Sequence, residues 1–245
     1  MQLRCLYFGN REFVLNHLTS IVSINYLYLI FAIVLLWMPR QWLRLGRKSA
    51  RALGLARRNR KRDFVRIRES GDNRVNFSEE FTKARNYIDF LRALVGGLIL
   101  VGNPEWGINS CFLLVNENGL ESTGNFLFEL QIGIIAVGVI RQFLRIEGRV
   151  TFYAPLFYFA GLAFALCGFG AGFFAFLLIW TLNSALPVPP VGFLTVYALM
   201  LGLIGILFQG IGNYYVYAAS IMFVIPVMVS LMAKRSLALF NKKIK

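Results

Sequence analysis

Apolar residues fall along this chain in long unbroken runs, separated by short clusters of charge or of Gly, Pro and Asn. Runs of that kind predict helices that are apolar on every face, not half-buried amphipathic ones. The first run is Ile21 to Met38, closed by Pro39; the second is roughly Phe90 to Gly102; the third is roughly Phe126 to Ile140. Phe152 to Leu186 then gives 35 residues without a charge. As one straight helix it would be about 52 Å long at 1.5 Å per residue, against a hydrocarbon layer of about 30 Å. The cluster Gly168-Phe169-Gly170-Ala171-Gly172 is where this segment is expected to turn back on itself. The last runs are Val191 to Phe208 and Tyr214 to Met232, joined by Gln209-Gly210-Ile211-Gly212-Asn213.

No Asp, Glu, Lys or Arg occurs between Val150 and Ala233. A soluble fold has to turn part of every surface helix toward water and cannot hide such a stretch, whereas a bilayer accepts it because helices satisfy their own backbone polar groups. The expected fold is therefore an all-α polytopic integral membrane protein. It has about seven transmembrane helices, or six if one short segment lies at the interface. Residues 1–38 form an N-terminal segment and first span, 39–86 a basic loop with an amphipathic interfacial helix, and 87–245 a transmembrane bundle with a basic tail.

Charge then orients the spans. The chain carries 26 Lys and Arg against 12 Asp and Glu. Arg40 to Arg68 concentrates the excess, with Arg40, Arg44, Arg47, Lys48, Arg51, Arg57, Arg58, Arg60, Lys61 and Arg62 interleaved with Trp42 and leucines. That composition predicts a helix in the headgroup layer, drawn to anionic lipids by about 1 kcal/mol per basic residue. Gly46 and Gly54 weaken the helix, by about 1 kcal/mol each relative to Ala. Nucleic acid is the less favoured partner, because no recognition motif accompanies the charge.

Ala93 to Ile140 has no Lys or Arg but contains Glu105, Glu117, Glu121 and Glu129, while Arg141, Arg145 and Arg149 make the next connection basic. This alternation follows the positive-inside rule. It puts the basic loop and the C-terminal Lys234, Arg235, Lys242, Lys243 and Lys245 on the cytoplasm- or matrix-like side, and the N-terminus opposite. The membrane is a bacterial inner membrane or an organellar one. The charge that follows the first run marks an uncleaved anchor, not a signal peptide.

Polar residues within apolar runs are candidate sites. Glu129, beside Gln131, is the acid most clearly inside a run and would suit a proton or a cation, or else a place among headgroups near the end of its span. Asp89 and Arg92 lie one turn apart and predict a local ion pair with its charged ends reaching for the interface. Ser78, followed by Glu79 and Glu80, predicts a helix start, in a helix that runs on into the second span. Asn183, Ser184, Gln209 and Asn213 read as connection chemistry. Gly168, Gly172, Gly202 and Gly205 predict close helix packing, as do Gly96, Gly97 and Gly161. Pro155 and Pro226 are potential kinks.

The aromatics between Phe152 and Trp180 read mainly as packing, with a lipid tail, quinone or pigment as alternative occupants of a pocket. Cys5, Cys111 and Cys167 have no metal or disulfide spacing, and the single His17 excludes multi-histidine centres. Bound lipids are the only non-protein component expected. These features favour a non-catalytic accessory subunit of a larger membrane assembly, in contact with other membrane subunits. A small transporter or channel using Glu129 comes next, and a lipid-modifying enzyme with polar groups near Asp89, Arg92, Arg141 and Arg145 last.

Overall fold

A computed structural model of the chain describes residues 22–39, 74–103, 107–114, 120–147, 149–235 and 237–239. The basic segment from Arg40 to Arg68, including every lipid-binding candidate from Arg40 to Arg62, lies outside the described residues, as do His17 and Lys242, Lys243 and Lys245.

The chain is mostly helical. A short strand β1 (Val22–Ile24) leads into helix α1 (Tyr26–Trp37), then a one-turn helix α2 (Phe77–Phe81) and the longer α3 (Ala84–Val101). Strand β2 (Phe112–Leu114) precedes α4 (Leu120–Phe143), which runs into β3 (Leu144–Glu147) and β4 (Arg149–Phe152). The rest is α5 (Leu156–Ala185), α6 (Pro190–Gln209) and α7 (Tyr214–Met232). Among the described residues, four helical stretches are long and apolar enough to cross a membrane: Gly124–Phe143, Leu156–Ala185, Pro190–Gln209 and Tyr214–Met232. α3 has the length but carries Arg85, Asp89 and Arg92.

The strands depart from an all-helical expectation. β1 pairs antiparallel with β2, Ser23 opposite Leu113, and β3 pairs antiparallel with β4, Leu144 opposite Phe152. The second ladder is extended by the C-terminal segment: the amide of Ala154 donates to the Ala238 carbonyl and that of Ala238 to the Phe152 carbonyl. Each ladder closes one end of the bundle by satisfying backbone groups that helix termini leave open.

The helix expected to start at Ser78 is capped instead by Asn76, whose carboxamide oxygen accepts from the Ser78 amide at 3.2 Å. It does not run on into the second span, because Lys83 is extended and α3 begins afresh after it. Glu80 holds this break together by accepting from Lys83 and, at 2.8 Å, from Asn86.

α5 is folded in half. Gly168 has φ 72° and ψ 170° inside it, a conformation open essentially only to glycine. On a straight helix Phe157 and Trp180 would stand about 34 Å apart, yet their ring centroids are 5.9 Å apart. A methyl added at Gly172 would lie 2.8 Å from the Cα of Phe164. The first limb, residues 156–167, is buried at every position and forms the axis of the bundle. α3 packs on one side of it, the second limb on another, and Phe223 of α7 lies 4.6 Å from Phe159. Pro155 kinks nothing, since it is the N-cap of α5.

In a cysteine-free background, Phe157→Cys with Trp180→Cys should therefore be joined by a short bifunctional maleimide. A mass shift for one intramolecular cross-link is the expected readout, and an unbridged pair would mean that the limbs do not meet.

The elements run back and forth between the two ends of the bundle. One end gathers Met38, residues 74–83, the β3–β4 ladder, residues 183–190 and the C-terminal turn, tied by Asn183 Nδ2 donating to Val75 O at 2.9 Å and by the Ala154–Ala238 bonds. The other end gathers the β1–β2 ladder, the Gly168 turn and the α6–α7 connection, tied by Gln209 Nε2 donating to Cys167 O at 2.6 Å.

Candidate functional site

Polar side chains collect at both ends of the bundle, and the two collections differ in kind. At the first end, Arg92 of α3 is only 3% exposed and Asp89, one turn earlier, 2%. Their ion pair, at 2.9 Å, points into the bundle and not out toward an interface. Arg92 Nη1 donates to Met38 O, and Nη2 donates to Gln142 Oε1 at 2.6 Å. Gln142 Nε2 in turn donates to Leu36 O at 3.1 Å and Met38 O at 3.0 Å.

The Tyr158 hydroxyl donates to Leu36 O at 3.1 Å, and its ring lies 5.4 Å under the guanidinium. Leu36 and Met38 carry the orphan carbonyls at the negative end of α1, and a buried guanidinium with five donors suits that place. The cluster thus ties α1, α3, α4 and α5 together. Apart from Arg92 Nε, which has no hydrogen-bond partner among the described residues, its groups are largely spent on one another, which is the arrangement of a clamp.

At the other end, Gln131 of α4 is buried and fully engaged. It donates to Leu100 O at 3.0 Å and accepts from the Tyr215 hydroxyl at 2.6 Å. Ser110 closes the set by donating to Leu100 O at 2.7 Å. Cys111, next to it, is packed away, and burial pushes its thiol up to about 11, so it stays a thiol at neutral pH.

Beside this set an open groove of about 730 Å³ runs between the start of α4 and the α6–α7 connection. Glu129 lines it and is exposed. The facing wall is Gln209, Asn213, Tyr214 and Tyr215. Asn213 caps α7 by accepting from the Tyr215 amide at 3.0 Å and donates to Gln209 Oε1 at 2.8 Å, so the wall is held in place.

Glu129 and Gln131, two residues apart, therefore have different surroundings. Gln131 faces inward to join helices, and Glu129 faces the groove. Gln142, Tyr158, Ser110 and Tyr215 carry polar contacts that sequence reasoning did not single out. Gln142 stands next to Arg141 in a connection read only for its charge, and Tyr158 and Tyr215 sit in aromatic-rich runs.

The packing glycines divide as well. Gly168 makes the turn, while a methyl at Gly205 would lie 2.5 Å from Val216 and one at Gly202 would lie 3.2 Å from Ser220 Oγ. The aromatics of α5 pack on each other and on α2, as Phe81 does with Phe157 at 5.1 Å and with Trp180 at 5.0 Å.

The bundle defines a helical protein whose apolar helices point to a membrane location. No protein-family model, no curated protein and no solved structure matches the chain.

Proposed function

We propose that the chain is a seven-crossing membrane protein serving as a non-catalytic subunit of a larger assembly. One observation carries this reading: five buried or half-buried polar side chains of the bundle are spent on joining one segment to another. Arg92, Gln142, Gln131, Asn183 and Gln209 each donate to a backbone carbonyl of a different element. Such bonds rigidify a scaffold and leave little for chemistry.

The seven crossings are α1, α3, α4, the two limbs of α5, α6 and α7, which alternate in direction between the two ends. Arg74, Lys83, Arg141, Lys234 and Arg235 belong to the end that holds Met38, and with the basic segment from Arg40 they put that end on the cytoplasm- or matrix-like side. Anionic lipids are the partners of that end. Exposed apolar faces, such as Leu199, Leu203 and Leu207 in an i, i+4 row on α6, suit lipid or the helices of neighbouring subunits.

The test is the native mass of the tagged full chain after mild detergent extraction, with identification of what travels with it. A stoichiometric complex with other polypeptides is the expected result. A lone chain of 27.8 kDa in its micelle would overturn the subunit reading. The second reading, a small transporter, is favoured by the groove at Glu129. A lone chain whose flux in proteoliposomes is abolished by Glu129→Gln would establish it in place of the first.

A further inference from the structure

The groove beside Glu129 has the chemistry of a site for an organic ammonium group. The carboxylate of Glu129 stands at the groove without a cation to neutralise it from any helix that forms the walls: residues 93–140 and 150–233 contain no Lys or Arg. Next to it the Phe128 ring meets Tyr215 edge-on at 5.1 Å and Tyr214 at 6.2 Å, so that aromatic surfaces lie at steep angles to one another. All three rings line the groove beside the carboxylate, and aromatic walls of this kind are what alkylammonium groups are held against.

The cage is preorganised. Tyr215 is fixed through its hydroxyl to Gln131, and Gln131 to Leu100 O. Asn213 and Gln209 are fixed to each other, and Gln209 to Cys167 O, with their carboxamide oxygens accepting from the Tyr215 amide and from Asn213 Nδ2. Gly124 and Gly212, also in its lining, leave it roomy, since a methyl at either would meet nothing within 4 Å.

A volume of about 730 Å³ lies in the range of small-molecule sites. A metal ion fits less well, because hard cations take six or more oxygens, usually with several carboxylates, and among the described residues the lining holds a single carboxylate flanked by rings. An anion is disfavoured by Glu129 itself.

We propose that this groove binds a primary or quaternary ammonium of headgroup size, with Glu129 as the counter-charge and Phe128, Tyr214 and Tyr215 as the aromatic walls. A zwitterionic lipid headgroup and a free amine share this chemistry. The groove opens at the bundle end where exposed Phe208, Ile211 and Tyr214 mark the limit of the apolar faces, the depth at which headgroups lie.

The experiment is native mass spectrometry of the full chain in detergent with equimolar phosphatidylethanolamine and phosphatidylglycerol of matched acyl chains. Wild type should retain the ethanolamine lipid in preference. Glu129→Gln should reduce that preference by about tenfold, the scale of one charge-assisted contact. Phe128→Leu, which keeps the charge, should reduce it several-fold. Unchanged thermal unfolding of both variants guards against misfolding.

Free ethanolamine then separates the sources: displacement of the lipid indicates a site that takes amines from solution, and retention indicates one specific for the headgroup in the bilayer. Either result upholds the ammonium site. No preference in wild type, or a preference that survives Glu129→Gln, overturns it, and one unaffected by Phe128→Leu removes the aromatic walls from it.

Discussion

Gly161→Leu should leave little folded protein, and Gly161→Ala alone should lower the unfolding temperature measurably. Gly161 sits in the middle of the buried limb of α5, where α3 crosses it. A methyl group there would lie 2.3 Å from the Phe90 carbonyl oxygen, 2.9 Å from the Leu94 amide nitrogen and 3.0 Å from Ala93 Cβ. The first two are backbone atoms, which cannot rotate aside, so the helices must separate.

The contact is reciprocal: a methyl at Gly97 of α3 would lie 2.6 Å from Ala165 Cβ. Ala93 and Gly97 on α3 thus face Gly161 and Ala165 on α5, two small-xxx-small pairs that let the backbones touch. In lipid there is no hydrophobic force between helices to offset a gap, and close packing carries their association. Overpacking in cores costs about 1–3 kcal/mol where side chains can yield, and at Gly161 the neighbours are backbone. Gly133→Ala on α4 is the control. A methyl there meets nothing within 4 Å, and relief of helical glycine should stabilise by about 0.5–1 kcal/mol. Thermal unfolding monitored by size-exclusion chromatography decides the matter, and equal effects at Gly161 and Gly133 would remove Gly161 from the helix crossing.

The Gly161 contact marks a boundary in what the sequence makes legible. Where an apolar run is bounded by strong punctuation, its extent could be read closely. Tyr214 to Met232 is α7 itself, after the Asn213 cap, and Val191 to Phe208 falls one residue short of α6 at each end. The turn at Gly168 was readable too, because a run too long for the hydrocarbon layer had a glycine cluster in the middle.

The start of α3 was not. Its first turns carry Arg85, Asp89 and Arg92, so the apolar run begins at Phe90 although the helix begins at Ala84. Hydropathy cannot anticipate that Asp89 and Arg92 are buried, because the partners that hold Arg92 inside, Met38 and Gln142, are 54 and 50 residues away on either side. The β1–β2 ladder is hidden for the same reason: three residues pair with three others some ninety positions on, with no periodicity to announce either. The groove at Glu129 needed the fold as well, since its walls come from α4 and the α6–α7 connection. Sequence marked Glu129 as exceptional without saying that Gln131, two residues on, faces the other way.

Arg92→Met should cost about 3–5 kcal/mol, the usual penalty for leaving a buried charge without its partner. Removing the guanidinium strands the Asp89 carboxylate and takes away a donor to Met38 O and the donor to Gln142 Oε1. Asp89→Asn should cost less, because Arg92 keeps Met38, Gln142 and the Tyr158 ring. The double variant Asp89→Leu with Arg92→Met separates two sources of stability. If only the ion pair matters, the double variant should recover most of the loss, since apolar replacement of a buried pair is often neutral or better.

If the clamp on α1 matters, recovery should be partial. Among the described residues, the carbonyls of Leu36 and Met38 would keep only Gln142 and Tyr158 as side-chain donors. α1 is the element most easily released: it is 12 residues long, with Tyr26, Leu27, Ile30 and Val34 turned outward and only Ala32 and Leu36 buried. Hydrogen exchange along the chain reads this directly. Faster exchange confined to α1 in the double variant, with the α3–α5 crossing still protected, is the expected pattern. Uniform protection at wild-type stability would mean that α1 is held by apolar packing alone. The guanidinium is expected to carry the larger share, because it joins the end of one helix to three others, and a hydrophobic replacement restores contact but not that connection.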